Sequence, residues 1–165
     1  MFFFDESRFG THSKVGHGWF QKGSRTPVSV KLGFENFYLY GAVDPLSGEH
    51  CTLLLPHVNT VCMNIFLQEL GAQYRQNRLI LVVDGASWHK ARSLSLPQNI
   101  EILYLPPYSP QLNPIERLWN YIKARILRNK TYSNIEDLKD AVCRFVAALE
   151  SSLLQSVCSC PYLFN

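Results

Sequence analysis

The sequence predicts a mixed α/β fold, a central sheet covered by helices. Three observations predict it. The chain up to about residue 55 reads as short strands separated by turns. A continuous apolar run, "RLILVVDGAS" from Arg78 to Ser87, has the length and character of a strand buried on both faces. Two amphipathic helix patterns follow it towards the C-terminus. With 165 residues, 47% of them hydrophobic and 18% charged, the chain has the size and composition of one globular domain that buries a core, not of a disordered segment.

Taken in order, "FFFDESRF" is a first strand, and the chain's abrupt start inside it predicts a segment upstream. "GWFQKGSRTPVSVKLG" reads as two short extended pieces around a Lys-Gly-Ser turn. Asn36 to Val43 is an aromatic-rich strand closed by the turn "DPLSG", and "CTLLLP" is a further strand. These strands pair in an antiparallel manner. A helix follows from about Thr60 to Arg75, with Asn59 or Thr60 as its cap and Val61, Ile65, Leu67 and Leu70 as its apolar stripe. After the buried strand comes "IEILYLPPYSP", a strand stopped by proline. Ile115 to about Asn129 is helical, with Ile115, Leu118, Trp119, Ile122 and Ile126 on one face. A second such helix runs from Ile135 to about Leu149 behind the cap-like Ser133-Asn134. Residues 151–165 form a tail of ambiguous pattern.

The net charge of +3 is mild, but the bases are unevenly placed. No acid occurs from Ser7 to Phe34, where Arg8, Lys14, Lys22, Arg25 and Lys31 stand. None occurs from Arg117 to Lys130, which holds Arg117, Lys123, Arg125, Arg128 and Lys130. Such segments suit a polyanionic partner, and they equally suit solvated faces. The five cysteines show no pairing framework and no zinc spacing, which points to reduced thiols in a cytosolic protein. "MFFF" is too short for a signal peptide, and no stretch reaches membrane-span length.

Three acids stand out. Asp5 and Asp84 end predicted strands, the places that face the ligand crevice of α/β sheets. Glu116 stands in the first turn of a helix, just after four prolines between Pro106 and Pro114. If the first strand and the buried strand lie side by side, Asp5 and Asp84 become neighbours that repel, and burial raises at least one pKa unless a cation neutralises them. Each acid also has a plain alternative. Strand-end aspartates are common turn residues. With Asn113 as N-cap and Pro114 at the first helical position, Glu116 falls in the capping-box position.

"FFFDESRFG", "VVDGASWHK" and "LPPYSPQLNPIERLW" resemble, in this order, the three catalytic blocks of DDE transposases of the mariner superfamily, in its bacterial insertion-sequence 630 branch. The resemblance covers about residues 2–146. It implies a ribonuclease H-like fold, with three antiparallel strands, then parallel strands, and flanking helices. It implies that Asp5, Asp84 and Glu116 bind two Mg²⁺ or Mn²⁺ ions and catalyse hydrolytic cleavage at transposon ends and transfer of the freed 3′-hydroxyl to target DNA. It implies double-stranded DNA and a second copy of the chain as partners, a bacterial cytoplasmic, nucleoid-associated location, and a catalytic domain over residues 1–150. The helix-turn-helix pair of such proteins has no counterpart in this sequence and is expected from an upstream segment.

His89 matches a histidine of the second block that could position a phosphate or a metal-bound water, or simply pack. Asn113 and Pro114 are expected to serve the helix start. Gly85 stands where relatives carry asparagine. Glu6 should point to the side of its strand opposite Asp5, as a salt-bridge or supporting residue, whereas Asp44 belongs to turn chemistry. Trp88 and Trp119 read as core or loop anchors. Lys14, Lys22, Arg25, Arg117, Lys123 and Arg125 are candidate phosphate contacts. The other readings are an inactive relic that only binds DNA or assembles, and a different ribonuclease H-like nuclease such as one cutting RNA–DNA hybrids.

Overall fold

The computed structural model describes residues 1–11, 35–86, 89, 91, 93–107, 109–128 and 130–161. The two extended pieces expected between residues 18 and 33, and Lys14, Lys22, Arg25 and Trp88, lie outside the described residues. Three strands open the fold: β1 (Phe2–Gly10), β2 (Asn36–Val43) and β3 (His50–Leu55). They form an antiparallel meander, with Asp5 opposite Gly41 and Tyr40 opposite Leu53. Helix α1 (Thr60–Gln73) then crosses to β4 (Leu79–Val83), which lies parallel to β1, and β5 (Ile100–Tyr104) lies parallel to β4. The sheet order is β3-β2-β1-β4-β5. Helices α2 (Ile115–Ile126), α3 (Ile135–Ala147) and α4 (Ser151–Val157) complete the chain.

Period-two alternation along β1 divides the core between the two faces of the sheet. Phe2 and Phe4 pack with Met63, Phe66, Leu67 and Leu70 of α1 and with Leu81 and Val83 of β4. Phe9 packs on the other face with α2, α3 and α4. Asp5 and Phe9 share parity, so Asp5 faces the α2 side. The α2 stripe is as the sequence predicts: Ile115, Leu118, Trp119, Ile122 and Ile126 are all buried. This helix ends at Ile126 rather than near Asn129, and α3 ends at Ala147 rather than near Leu149. Asn134 caps α3 by accepting from the Asp137 amide, and Asn59 caps α1 by accepting from that of Cys62.

The α1 stripe departs from expectation. Val61 and Ile65 are exposed, and the buried residues are Cys62, Met63, Phe66, Leu67, Leu70 and Gly71. Both sides of this helix are apolar, so spacing alone does not choose the side that meets the sheet. Likewise β4 is not buried throughout, since Ile80 is exposed. Asp44 is turn chemistry as read: its carboxylate accepts from the Leu46 amide and pairs with the N-terminal amine. All five cysteines are free thiols, and among the described residues no helix is long and apolar enough to cross a membrane.

Within the C-terminal tail, residues 151–157 form α4, with Leu154 and Cys158 fully buried in the α2–α3 core. Gln155 donates to the Leu46 carbonyl in the β2–β3 turn. Gly48 of that turn has φ +72° and lies so close to Ser151 that a β-carbon there would strike the Ser151 backbone. The helix is therefore part of the core. Leu154→Ala is expected to cost about 2–4 kcal/mol in urea unfolding. A loss below about 0.5 kcal/mol, typical of a surface site, would show that α4 is peripheral.

Candidate active site

Strand β1 outruns its parallel neighbour. Its pairing with β4 covers Phe2 opposite Leu81 and Phe3 opposite Val82. Asp5 is therefore not at the end of a strand, as the sequence suggested, but within β1, two residues beyond its last β4 partner. There it pairs only with Gly41 of β2. Asp84 directly follows the last residue of β4. The gap so formed lies outside the carboxyl end of a parallel strand, where open α/β sheets keep their ligand crevice.

Glu116 completes the set from the first turn of α2. Asp5, Asp84 and Glu116 line one open pocket of about 630 Å³, together with Gly85, Tyr104 and Asn113. Among the described residues no three acid, histidine or cysteine side chains are placed to hold one ion together, so the acids share a pocket without closing on a point.

The local start of α2 differs from the capping reading. Pro114, not Asn113, is the N-cap residue, and no side chain caps the helix. The first backbone bonds run from the amides of Glu116 and Arg117 to the carbonyls of Asn113 and Pro114. Asn113 is buried and turns away from the helix. Its amide Nδ2 donates to the Phe4 carbonyl at 2.9 Å, and among the described residues its Oδ1 has no hydrogen-bond partner. Asn113 thus ties the start of α2 to the β1 residue before Asp5. The prolines fix the approach, and Glu116 is carried to the pocket rather than used as a cap.

Asp5 is held by a residue whose role the sequence reading missed. Trp119 Nε1 donates to Asp5 Oδ2 at 3.0 Å. The indole lies over Gly41, where a β-carbon would stand 2.5 Å from Cη2. A glycine opposite Asp5 therefore leaves room for the ring that holds Asp5. One sequence signal pointed this way, because Trp119 lies three residues after Glu116 and so neighbours it on the helix surface. Burial, then the nearby charge of Glu116, then that of Glu6, push the Asp5 carboxyl up to about 7. The Glu6 amide and Trp119 oppose the shift.

Asp84 is more exposed, and its carboxylate Oδ1 makes two contacts among the described residues. It accepts from the Ala86 amide at 3.0 Å and faces His89 Nδ1 at 2.8 Å. His89 is buried, and its Nε2 faces Glu6 Oε1 at 3.1 Å. Glu6 lies on the far side of β1 from Asp5, as expected. Burial works against charge on His89, but Glu6 and Asp84 outweigh it and raise its pKa. Of the expected phosphate contacts on α2, Arg117 donates to the Ser159 carbonyl. Lys123 lies over the Phe9 ring and Arg125 over the Tyr121 ring, and none of the three lines the pocket.

A family model of the DDE superfamily endonucleases matches residues 1–139. The chain belongs to this family. It is 30% identical over 151 residues to the insertion element IS630 uncharacterized 39 kDa protein of Shigella sonnei, a match covering 88% of this chain and 44% of that protein. It is 35% identical over 107 residues to the uncharacterized protein y4pE/y4sA of Sinorhizobium fredii (strain NBRC 101917 / NGR234), covering 64% and 79% respectively. Among solved structures, the Mos1 strand transfer complex superimposes with a TM-score of 0.71 at 22% identity, over 95% of this chain and 50% of that one. The catalytic domain of Mos1 mariner transposase gives 0.62 at 21% identity, over 95% and 74%. The DDE endonuclease chain thus has the ribonuclease H-like fold, and its resemblance in fold to Mos1 mariner transposase and in sequence to the IS630 protein holds. It spans about half the length of the IS630 protein and of the Mos1 chain in the strand transfer complex.

The raised Asp5 pKa has a definite sign. A carboxyl at about 7 when folded, against 3.8 ordinarily, holds its proton more tightly in the folded chain. Stability of the metal-free domain therefore falls as pH rises through this range. Asp5→Asn removes this decline, so its urea midpoint is expected to exceed the wild-type value at about pH 8, by a margin that shrinks towards about pH 4. A margin independent of pH contradicts the assignment. Gly41→Ala is expected to displace Trp119 and lower the thermal midpoint, and a wild-type midpoint would show that the ring does not seat on Gly41.

Proposed function

We propose that this chain is the catalytic domain of a transposase that cleaves double-stranded DNA and transfers strands with the help of divalent metal ions. Asp5, Asp84 and Glu116 are its catalytic and metal-binding residues. The observation that carries this reading is the meeting of three carboxylates, from β1, from the end of β4 and from the first turn of α2, in one pocket of a DDE endonuclease chain.

The residues fit a hard divalent cation by their chemistry. The donors are carboxylate oxygens, and one belongs to a half-buried acid whose pKa is pushed up by desolvation and then by the neighbouring acids Glu116 and Glu6, the environment a cation relieves. When bound, two Mg²⁺ or Mn²⁺ ions supply activation of a water or hydroxyl nucleophile and stabilisation of the leaving oxygen. The protein's part is to hold the carboxylates. Trp119 orients Asp5, the Ala86 amide and His89 orient Asp84, and Asn113 keeps the start of α2 against β1. Gly85, without a side chain, leaves the pocket wall open to close approach of a phosphate.

Among the solved neighbours are Mos1 paired-end complexes with Mn, with Mg and with the left transposon end. They support DNA ends as the substrate and Mg²⁺ or Mn²⁺ as the ion. On this reading Lys14, Lys22, Arg25, Arg117, Lys123 and Arg125 meet phosphates without reading sequence. A second copy of the chain joins the active assembly in the bacterial cytoplasm, the catalytic domain expected over residues 1–150 takes in α4 as well, and a helix-turn-helix segment outside it recognises the transposon ends.

The chain is expected to nick supercoiled plasmid in the presence of Mg²⁺ or Mn²⁺ and to prefer duplex DNA over an RNA–DNA hybrid. Asp84→Asn is expected to lower the nicking rate by about 10²–10³-fold. Nicking that survives chelation of the metal or the Asp84 substitution contradicts the proposal, and preference for the hybrid points to another nuclease of this fold.

A further inference from the structure

We propose that Glu6 is a positioning residue for Asp84, acting through His89. The inference rests on the reading of Asp84 as a metal-binding residue and adds what holds that residue in place. Glu6 and His89 are 83 positions apart in the chain, yet their side chains meet where only 5% and 1% of their surfaces are exposed. His89 Nε2 lies 3.1 Å from Glu6 Oε1, and Nδ1 lies 2.8 Å from Asp84 Oδ1. Nδ1 also hydrogen-bonds the Asp84 backbone carbonyl at 3.4 Å, so the ring is wedged between the Glu6 carboxylate on one side and the backbone and carboxylate of Asp84 on the other.

The ring has little freedom to turn. Phe4 meets it edge-on at 5.5 Å, and Tyr104 donates to the His89 carbonyl at 2.8 Å. Glu6 belongs to the same strand as Asp5 but faces the opposite side. β1 therefore presents one carboxylate directly to the pocket and uses the next to orient the partner carboxylate on the far side of it. Removing the Glu6 carboxylate removes the buried contact that seats the Nε2 side of the ring. The Nδ1 side of the ring then loses its fixed seat against Asp84.

The test is calorimetric titration of Mn²⁺ into the metal-free chain, with thermal midpoints recorded alongside. Glu6→Gln and His89→Gln are each expected to weaken Mn²⁺ binding about tenfold. The double substitution is expected to be no weaker than the singles, because both break the same line of contacts. Wild-type affinity in Glu6→Gln, or single effects that multiply in the double variant, overturns the proposal. Glu6→Gln alters a buried contact and can fail to fold. The apolar pair Glu6→Met/His89→Leu is therefore measured too. It is expected to fold and to bind Mn²⁺ as weakly as His89→Gln, and wild-type affinity there also overturns the proposal. Asp84→Asn separates the two readings. If it binds Mn²⁺ as the wild type does, the metal site itself is wrongly assigned. If it alone loses binding while the Glu6 variants keep it, only the role of Glu6 fails.

Discussion

The parallel pairing of β1 with β4 is the constraint on which the site depends. It spans only Phe2 and Phe3 on one side and Leu81 and Val82 on the other. A longer pairing would fill the crevice with backbone, and a shift of one residue would turn Asp5 to the opposite face, into the α1 core. The position of Asp5 is thus set by the phenylalanines that precede it. Phe2 and Phe4 bury on the α1 face, which leaves Asp5 on the α2 face. Asn113 then bonds to the Phe4 carbonyl and brings α2 to the same place, so that one strand segment locates acids from three parts of the chain.

Gathering carboxylates in this way destabilises the empty domain. Burial and the charges of Glu116 and Glu6 hold Asp5 partly protonated near neutral pH. The protein offsets part of this cost with directed donors, the Trp119 indole for Asp5 and the Ala86 amide and His89 for Asp84. An arrangement that is costly when empty and relieved by a cation is expected where activity outweighs stability.

Much of this was legible in the sequence, and the limits have physical causes. The α2 stripe was readable because its apolar residues fall on one side only, with Arg117, Asn120 and Lys123 interrupting them. The α1 stripe was misread because Val61 and Ile65 are as apolar as Phe66 and Met63, and the choice between them is made by packing against the sheet. Resemblance of three short blocks singled out the acids, but local reasoning misassigned the start of α2. The Asn113 side chain does not cap its own helix, because its amide bonds to a carbonyl 109 residues away. The contacts of Trp119 with Asp5 and of Glu6 with His89 likewise join residues far apart in sequence, which neither periodicity nor capping rules can reveal.

The account turns on three carboxylates sharing divalent ions, and anomalous diffraction from crystals grown with Mn²⁺ examines that sharing directly. The predicted result is Mn²⁺ density in the crevice between β1 and β4, coordinated by Asp5 together with Asp84, Glu116 or both. Density confined to other surfaces, or an ordered crevice without Mn²⁺ at saturating concentration, would contradict the account and leave the convergence of these acids without a purpose.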